Sequence, residues 1–246
     1  MTLDTGSHLS ALTADSEAFA RLAEEHLDRP VESCPGWTVA DLVGHLGGVY
    51  SWVELVVQAG GSRPEGHRDA PPEERADLMT WFQDWRDRAV DALTTRAPQD
   101  PAWMFVAPHS TNIGWWRRRQ AMETAIHLHD VQTAAGQPTA VAPELAADGV
   151  DEALTVFLPG YLQRQPVAGL QGTLHLHCTD TDGEWVVDFT GPLPEVRREH
   201  AKSDTALRGP AADLFLWVWN RIPTDSPGLD VLGRREVAEA MAEVRL

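Results

Sequence analysis

Cysteine is scarce in this sequence: of 246 residues only Cys34 and Cys178 carry thiols, and they show no Cys-x-x-Cys spacing. Two thiols are too few for a disulfide framework or a cysteine-built metal site, so free buried thiols are expected. No stretch approaches the roughly 18 to 20 consecutive apolar residues that span a bilayer, and no basic region followed by an apolar core opens the chain. The expectation is a cytoplasmic protein without a membrane partner. Positive charge is also short, with 20 basic against 37 acidic residues and a net charge of -17. Such a surface repels the phosphate backbone of nucleic acid, which is excluded as a partner. The one dense basic run, Arg117 to Arg119, reads as a local anion contact or a solvated helix face. The sequence contains no Gly-rich phosphate loop, no Gly-x-Ser-x-Gly elbow, no dinucleotide fingerprint, no internal repeat and no low-complexity tract.

What is present is a folded composition, 43% hydrophobic and 23% charged residues, enough to bury a good core. Residues 7–28 place Leu9, Leu12, Phe19, Leu22 and Ala23 near helical spacing, and Pro30 ends that pattern. Thr38, answered three residues on by Asp41, forms a capping box for a second helix that carries His45 about two turns in. Residues 60–74 are rich in Gly, Pro and charge and read as a surface loop. Leu78, Trp81, Phe82, Trp85, Ala89 and Leu93 then make the apolar stripe of a third helix, with the tryptophans assigned to core packing. A second loop over residues 97–114 leads to a fourth helix over 115–135, ended by Gly136. Four such helices suggest a bundle able to host a metal site between facing side chains.

The second half changes character. Pro138 and Pro143 frame a linker, residues 144–158 read as one more helix, and the period then switches from helical to alternating. Thr173, His175 and His177 alternate with Leu174, Leu176 and Cys178, and after Thr-Asp-Thr-Asp-Gly the run 184–190 is again strand-like, predicting a hairpin. A short strand over 205–208, a helix over 210–221 and a last helix over 235–244 complete an α+β domain. The expected division is a four-helix bundle over 1–138 and a smaller domain over 143–246.

The informative segment is Arg117-Arg-Arg-Gln-Ala-Met-Glu-Thr-Ala-Ile-His-Leu-His-Asp130. Glu123 and His127 lie four apart and share one helix face. With His45 from the second helix they make a two-histidine, one-carboxylate set that leaves a coordination position open for substrate or water on a zinc or other divalent ion. The competing reading makes Glu123 and His127 an exposed helix pair and His45 a half-buried histidine. Asp130, three residues after His127, is either an orienting partner for a ligand imidazole or a solvated carboxylate at the helix end. Trp37 and Trp52 flank His45 and are candidates to wall a pocket. His175 and His177 share a strand face that can bind metal, with a half-exposed polar face as the ordinary explanation. His129 points away from the His127 face, and His109 lies in a loop.

The run Pro-Gly-Trp-Thr-Val-Ala-Asp-Leu-Val-Gly-His45, the run Arg-Arg-x-x-x-x-Glu123-Thr-Ala-Ile-His127-x-x-Asp130, and Gly172-Thr-Leu-His-Leu-His together resemble the mycothiol-dependent maleylpyruvate isomerase family. The resemblance spans nearly the whole chain. It implies a DinB-like metal-binding four-helix bundle followed by a sterol carrier protein-like α/β domain. It further implies that His45, Glu123 and His127 hold zinc or another divalent metal, and that Arg221 takes part in catalysis and in binding the thiol cofactor. Arg119 is a second candidate for contacting the cofactor, and Arg117 and Arg118 join Arg119 and Arg221 as candidate partners for substrate carboxylates. The implied chemistry is addition of a mycothiol thiolate to a small electrophile such as a maleyl compound. Rotation and elimination then give the trans isomer, whereas retention of the adduct makes the enzyme a thiol S-transferase. The expected pocket lies between the domains of a monomer or homodimer. Two other readings remain: a hydrolase using metal-bound water, and a non-catalytic small-molecule-binding protein.

Overall fold

The computed structural model describes residues 3–106 and 109–245, which divide into two compact units, Asp4–Ala140 and a second from Val141 onward. The first unit is helical: α1 (Thr5–His26), α2 (Val39–Ala59), α3 (Leu78–Thr95) and α4 (Ile113–Ala135). Helix α1 begins two residues before its apolar pattern because the Asp4 carboxylate accepts the otherwise unpaired N–H groups of Gly6 and Ser7. The Thr38–Asp41 capping box forms as expected and sets the start of α2. Gly136 ends α4 in the left-handed region (φ 73°), with Gly136 and Gln137 returning N–H bonds to Thr133 and Gln132. Helix α1 packs on α4 and α2 on α3, while α1–α3 and α2–α4 contacts join the pairs.

Of the two loop readings, 97–114 needs correction, whereas 60–74 is a mostly exposed loop as expected. The 97–114 segment contains a short antiparallel pair, β1 (Pro101–Trp103) and β2 (Ser110–Asn112), packed through Trp103 edge-on against Trp52. Trp52 is thus committed to this ribbon. The 60–74 loop is anchored: Asp69 accepts hydrogen bonds from the indole N–H groups of both Trp81 and Trp85 at 2.8 Å. Those two tryptophans are half-buried clamps for the loop rather than core. Their approach depends on the glycines of α2. A Cβ on Gly47 would sit 2.3 Å from the Trp81 ring, and one on Gly44 would press on Pro71 at 3.2 Å, so the helix gives up intrinsic propensity to admit its neighbours.

The second unit begins with α5 (Pro143–Glu152), a π-helical turn (Ala153–Phe157) and α6 (Leu158–Arg164), one helical run that outlasts the expected 144–158. Pro159 explains the wide turn. It has no N–H to give and its ring crowds the carbonyl four residues back, and the Leu158 N–H bonds Ala153 five back instead. The sheet that follows is built from β3 (Thr173–Cys178), β4 (Glu184–Asp188), β5 (Glu195–Arg197), β6 (Thr205–Gly209) and β7 (Asp230–Gly233), in the order β5-β4-β3-β6-β7. All neighbours are antiparallel except β3 and β6. The hairpin is as expected, and β5 and β7 are additional edge strands. Leu174, Leu176, Trp185, Val187 and Leu207 line the buried face, where the Trp185 indole donates to Asp151 of α5.

Helix α7 (Ala211–Val218) stops short of the expected Arg221. Asn220 adopts φ 59°, and the N–H groups of Asn220 and Arg221 fold back onto Trp217 and Leu216, a left-handed cap in which asparagine substitutes for glycine. Helix α8 (Arg235–Ala242) closes the unit. No helix among the described residues is long and apolar enough to cross a membrane.

Candidate metal centre in the helical unit

Two long helices bring the donors together. His45 projects from α2 seven residues past its cap, and Glu123 and His127 project from consecutive turns of α4. His45 Nε2 lies 3.3 Å from Glu123 Oε1, and His127 Nε2 lies 3.6 Å from the same oxygen. The two imidazole rings meet edge to face with centroids 5.0 Å apart. Three donor atoms at such separations match a half-formed coordination sphere, since ligands about 2.0 to 2.2 Å from one zinc ion stand roughly 3.3 Å from each other. The side chains of His45 and Glu123 retain 28% and 20% exposure, while that of His127 keeps 9%.

Each donor is held from behind. His127 Nδ1 bonds Asp130 Oδ2 at 2.9 Å, and the Ser33 hydroxyl donates to Asp130 Oδ1 at 2.6 Å. Asp130 is only 2% exposed, so the solvated helix-end reading of this residue does not hold. A proton kept on Nδ1 leaves Nε2 free to act as a lone-pair donor. Ser33 comes from the loop before α2, which a Pro30–Thr38 bridge and the Val31–Trp37 backbone bond tie down. Sequence reasoning missed it because the contact spans 97 positions; its local signal is only that it opens the Ser-Cys-Pro-Gly-Trp turn. The same loop sets Trp37 beside His45, with ring centroids 5.3 Å apart.

Arg119, one turn before Glu123, bonds Glu123 Oε2 at 2.5 Å with its side chain 4% exposed. Burial works to raise the Glu123 pKa, but Arg119 and the hydrogen bonds from His127 and His45 outweigh it and hold the carboxyl well below its usual range. For His127, burial opposes the charged form, yet Asp130 and Glu123 prevail and raise its pKa.

Residues 9–132 match the Mycothiol maleylpyruvate isomerase N-terminal domain, and residues 144–240 match the MDMPI C-terminal domain. The chain belongs to the mycothiol-dependent maleylpyruvate isomerase family of enzymes. Its fold is similar to two solved structures, described as the mycothiol-dependent maleylpyruvate isomerase and a histidine-to-alanine mutant of it. Each aligns with a TM-score of 0.64 at 12% identity, over 94% of this chain and 95% of the other. No curated protein is similar enough in sequence to match.

The remaining expected site residues fall elsewhere in this family member. Arg117 is buried and neither a solvated face nor an anion contact: its guanidinium donates to the carbonyls of Leu93 and Arg96, closing the end of α3. Arg221 lies in the second unit, where its Nη1 donates to the Trp219 carbonyl at 2.8 Å. It borders a shallow cleft with Asn220, Ile222, Glu239 and Arg245. His129 makes a long contact to Thr133, and His109 stacks on Trp103.

Proposed function

We propose that this chain is a metal- and mycothiol-dependent isomerase or thiol S-transferase acting on a small, maleylpyruvate-like electrophile, with His45, Glu123 and His127 as the metal ligands. The observation that carries this reading is the convergence of one donor atom from each of those residues within 4.8 Å of the others, with Glu123 Oε1 3.3 Å from His45 and 3.6 Å from His127. The donor chemistry fits a divalent ion of the zinc type, two imidazole nitrogens and one carboxylate with an open side. When bound, such an ion supplies Lewis acidity that keeps a cofactor thiol as thiolate near neutral pH. The protein's own contribution is orientation. Asp130, steadied by Ser33, fixes the His127 tautomer and ring, and Arg119 holds Glu123 ionised and aimed. Trp37 gives the site an apolar wall. Arg119 is so engaged with Glu123 that its effect on a thiol cofactor is assigned through that carboxylate. Arg221 is assigned to cofactor binding and catalysis on the family resemblance of the Trp-Val-Trp-Asn-Arg run.

The test is conversion of a cis electrophile by untagged, zinc-loaded protein with and without mycothiol. Activity that requires the thiol and falls at least about a hundredfold in His45→Ala supports the proposal, as does a raised KM for mycothiol in Arg221→Ala. Turnover without thiol moves the assignment to a hydrolase using water. A folded protein that retains no metal and turns nothing over is a binding protein instead.

A further inference from the structure

The sheet unit contains a second convergence of imidazoles, outside the helical centre. His175 and His177 occupy alternate positions of β3, and so share the face opposite Leu174 and Leu176. Glu184 of β4 is the cross-strand partner of His177. His200, in the segment after β5, swings its ring over this face, with centroids 5.2 Å from His175 and 6.3 Å from His177. One donor atom from each of the four residues lies within 4.8 Å of all the others.

Hydrogen bonding alone leaves this cluster incomplete. Glu184 accepts from His200 Nδ1 at 3.0 Å and touches His177 Nδ1. His175 Nε2 reaches no closer than 3.9 Å to Glu184, too far for a hydrogen bond. That nitrogen is buried without a partner in a residue only 6% exposed. An orphaned buried polar atom is costly and calls for an explanation. Its neighbours are two more imidazoles and a carboxylate, at the mouth of a cleft of about 490 Å³ that His177, Glu184 and His200 help to line with Asp148, Asp151 and Asp182.

We propose that His175, His177, Glu184 and His200 form a second binding site for a zinc-type divalent ion, separate from the helical centre. Three nitrogens and one oxygen suit zinc and also admit cobalt or nickel, while the hard-oxygen ions calcium and magnesium are disfavoured. The ion gives the His175 lone pair its partner and ties the segment after β5 to β3 and β4. Because the fourth donor comes from an exposed residue, 78% accessible at its side chain, the site exchanges its metal more readily than the helical one.

The test separates the two sites by mutation. In an untagged His45→Ala/His127→Ala variant, zinc content and a cobalt titration followed by visible absorption read the sheet site alone. About one ion per chain is expected, with affinity falling at least about tenfold on adding His200→Ala and binding lost on adding His177→Ala. His200 is too exposed to be needed for folding, so its variant keeps the test interpretable if the strand substitutions unfold the sheet, and far-UV circular dichroism reports which case applies. A folded His45→Ala/His127→Ala variant that takes up no zinc or cobalt at micromolar concentration overturns the proposal, as does an affinity indifferent to His200→Ala. Either result leaves the helical centre untouched, because that site is read from the metal lost between wild type and the double variant.

Discussion

The two imidazole clusters are built on different principles. In the helical unit, the donors stand on α2 and α4, and two of them have a buried charged partner, Asp130 behind His127 and Arg119 behind Glu123, while half-buried Ser33 braces Asp130 and half-buried Trp37 lies beside His45. In the sheet unit, β3 and β4 place three donors by register alone, and the fourth arrives on an exposed segment. A site that must direct a reactive nucleophile needs the first kind of support, because geometry held by buried hydrogen bonds is not renegotiated at each turnover. An ion that only fastens a loop can tolerate the second.

The largest expected effect comes from removing that support. Asp130→Asn keeps the size of the side chain but replaces the charge that holds His127 Nδ1–H, so the ring loses its preferred tautomer. Metal affinity of the helical centre should fall about 10- to 100-fold, measured by competition with a chromophoric chelator. The sheet cluster does not include Asp130, and its affinity should not change in the same variant. An unchanged helical affinity would mean that Asp130 is only a structural anchor for Ser33.

Gly47→Ala disturbs the helical site through packing alone. The added methyl lands 2.3 Å from the Trp81 ring, and Trp81 with Trp85 holds the 60–74 loop through Asp69. Overpacking here should cost about 2 kcal/mol, visible as a lower unfolding temperature of the helical unit. Far-UV circular dichroism of the folded state should stay unchanged. A neutral substitution would show that Trp81 can rotate aside and that the clamp is dispensable.

These two positions also show what the sequence could and could not disclose. The helix boundaries were legible where a cap is local, as at Thr38 with Asp41 and at Gly136, because the residues that satisfy the helix ends lie within a turn. The meeting of His45, Glu123 and His127 was legible because Glu123 and His127 share a helix face and a third histidine lies early in another helix. Ser33 was not, since a contact 97 residues away leaves no periodic trace. Trp81 and Trp85 were misread because helical spacing records which face is apolar, not that two indole N–H groups meet one carboxylate. His175 looked half-exposed from strict alternation, yet it is 6% exposed. The His200 ring that meets it edge to face belongs to a segment with no pattern of its own. The ribbon β1–β2 and the edge strands β5 and β7 are three or four residues long, too short for alternation to stand out.

The smallest effect concerns a group outside both clusters, Asp15 on α1. Burial pushes its carboxyl up to about 6 from 3.8, so the folded helical unit prefers it neutral while the unfolded chain does not. The sign follows from proton binding. Between about pH 4 and 6 the native state holds a proton that the unfolded state has released, and stability falls as pH rises through that window. Below about pH 4 both states are protonated and no penalty exists; above about 6 the penalty is complete. Asp15→Asn removes the titration, so the variant should match wild type near pH 4 and exceed it by about 1 kcal/mol at pH 8. That figure is discounted from the full shift because the carboxyl keeps some solvent contact. Thermal unfolding of the metal-free protein across that range is the measurement, since bound metal would add its own pH dependence to the helical unit. A gain that is equal at pH 4 and pH 8 would assign the stabilisation to helix propensity rather than to relief of a buried charge.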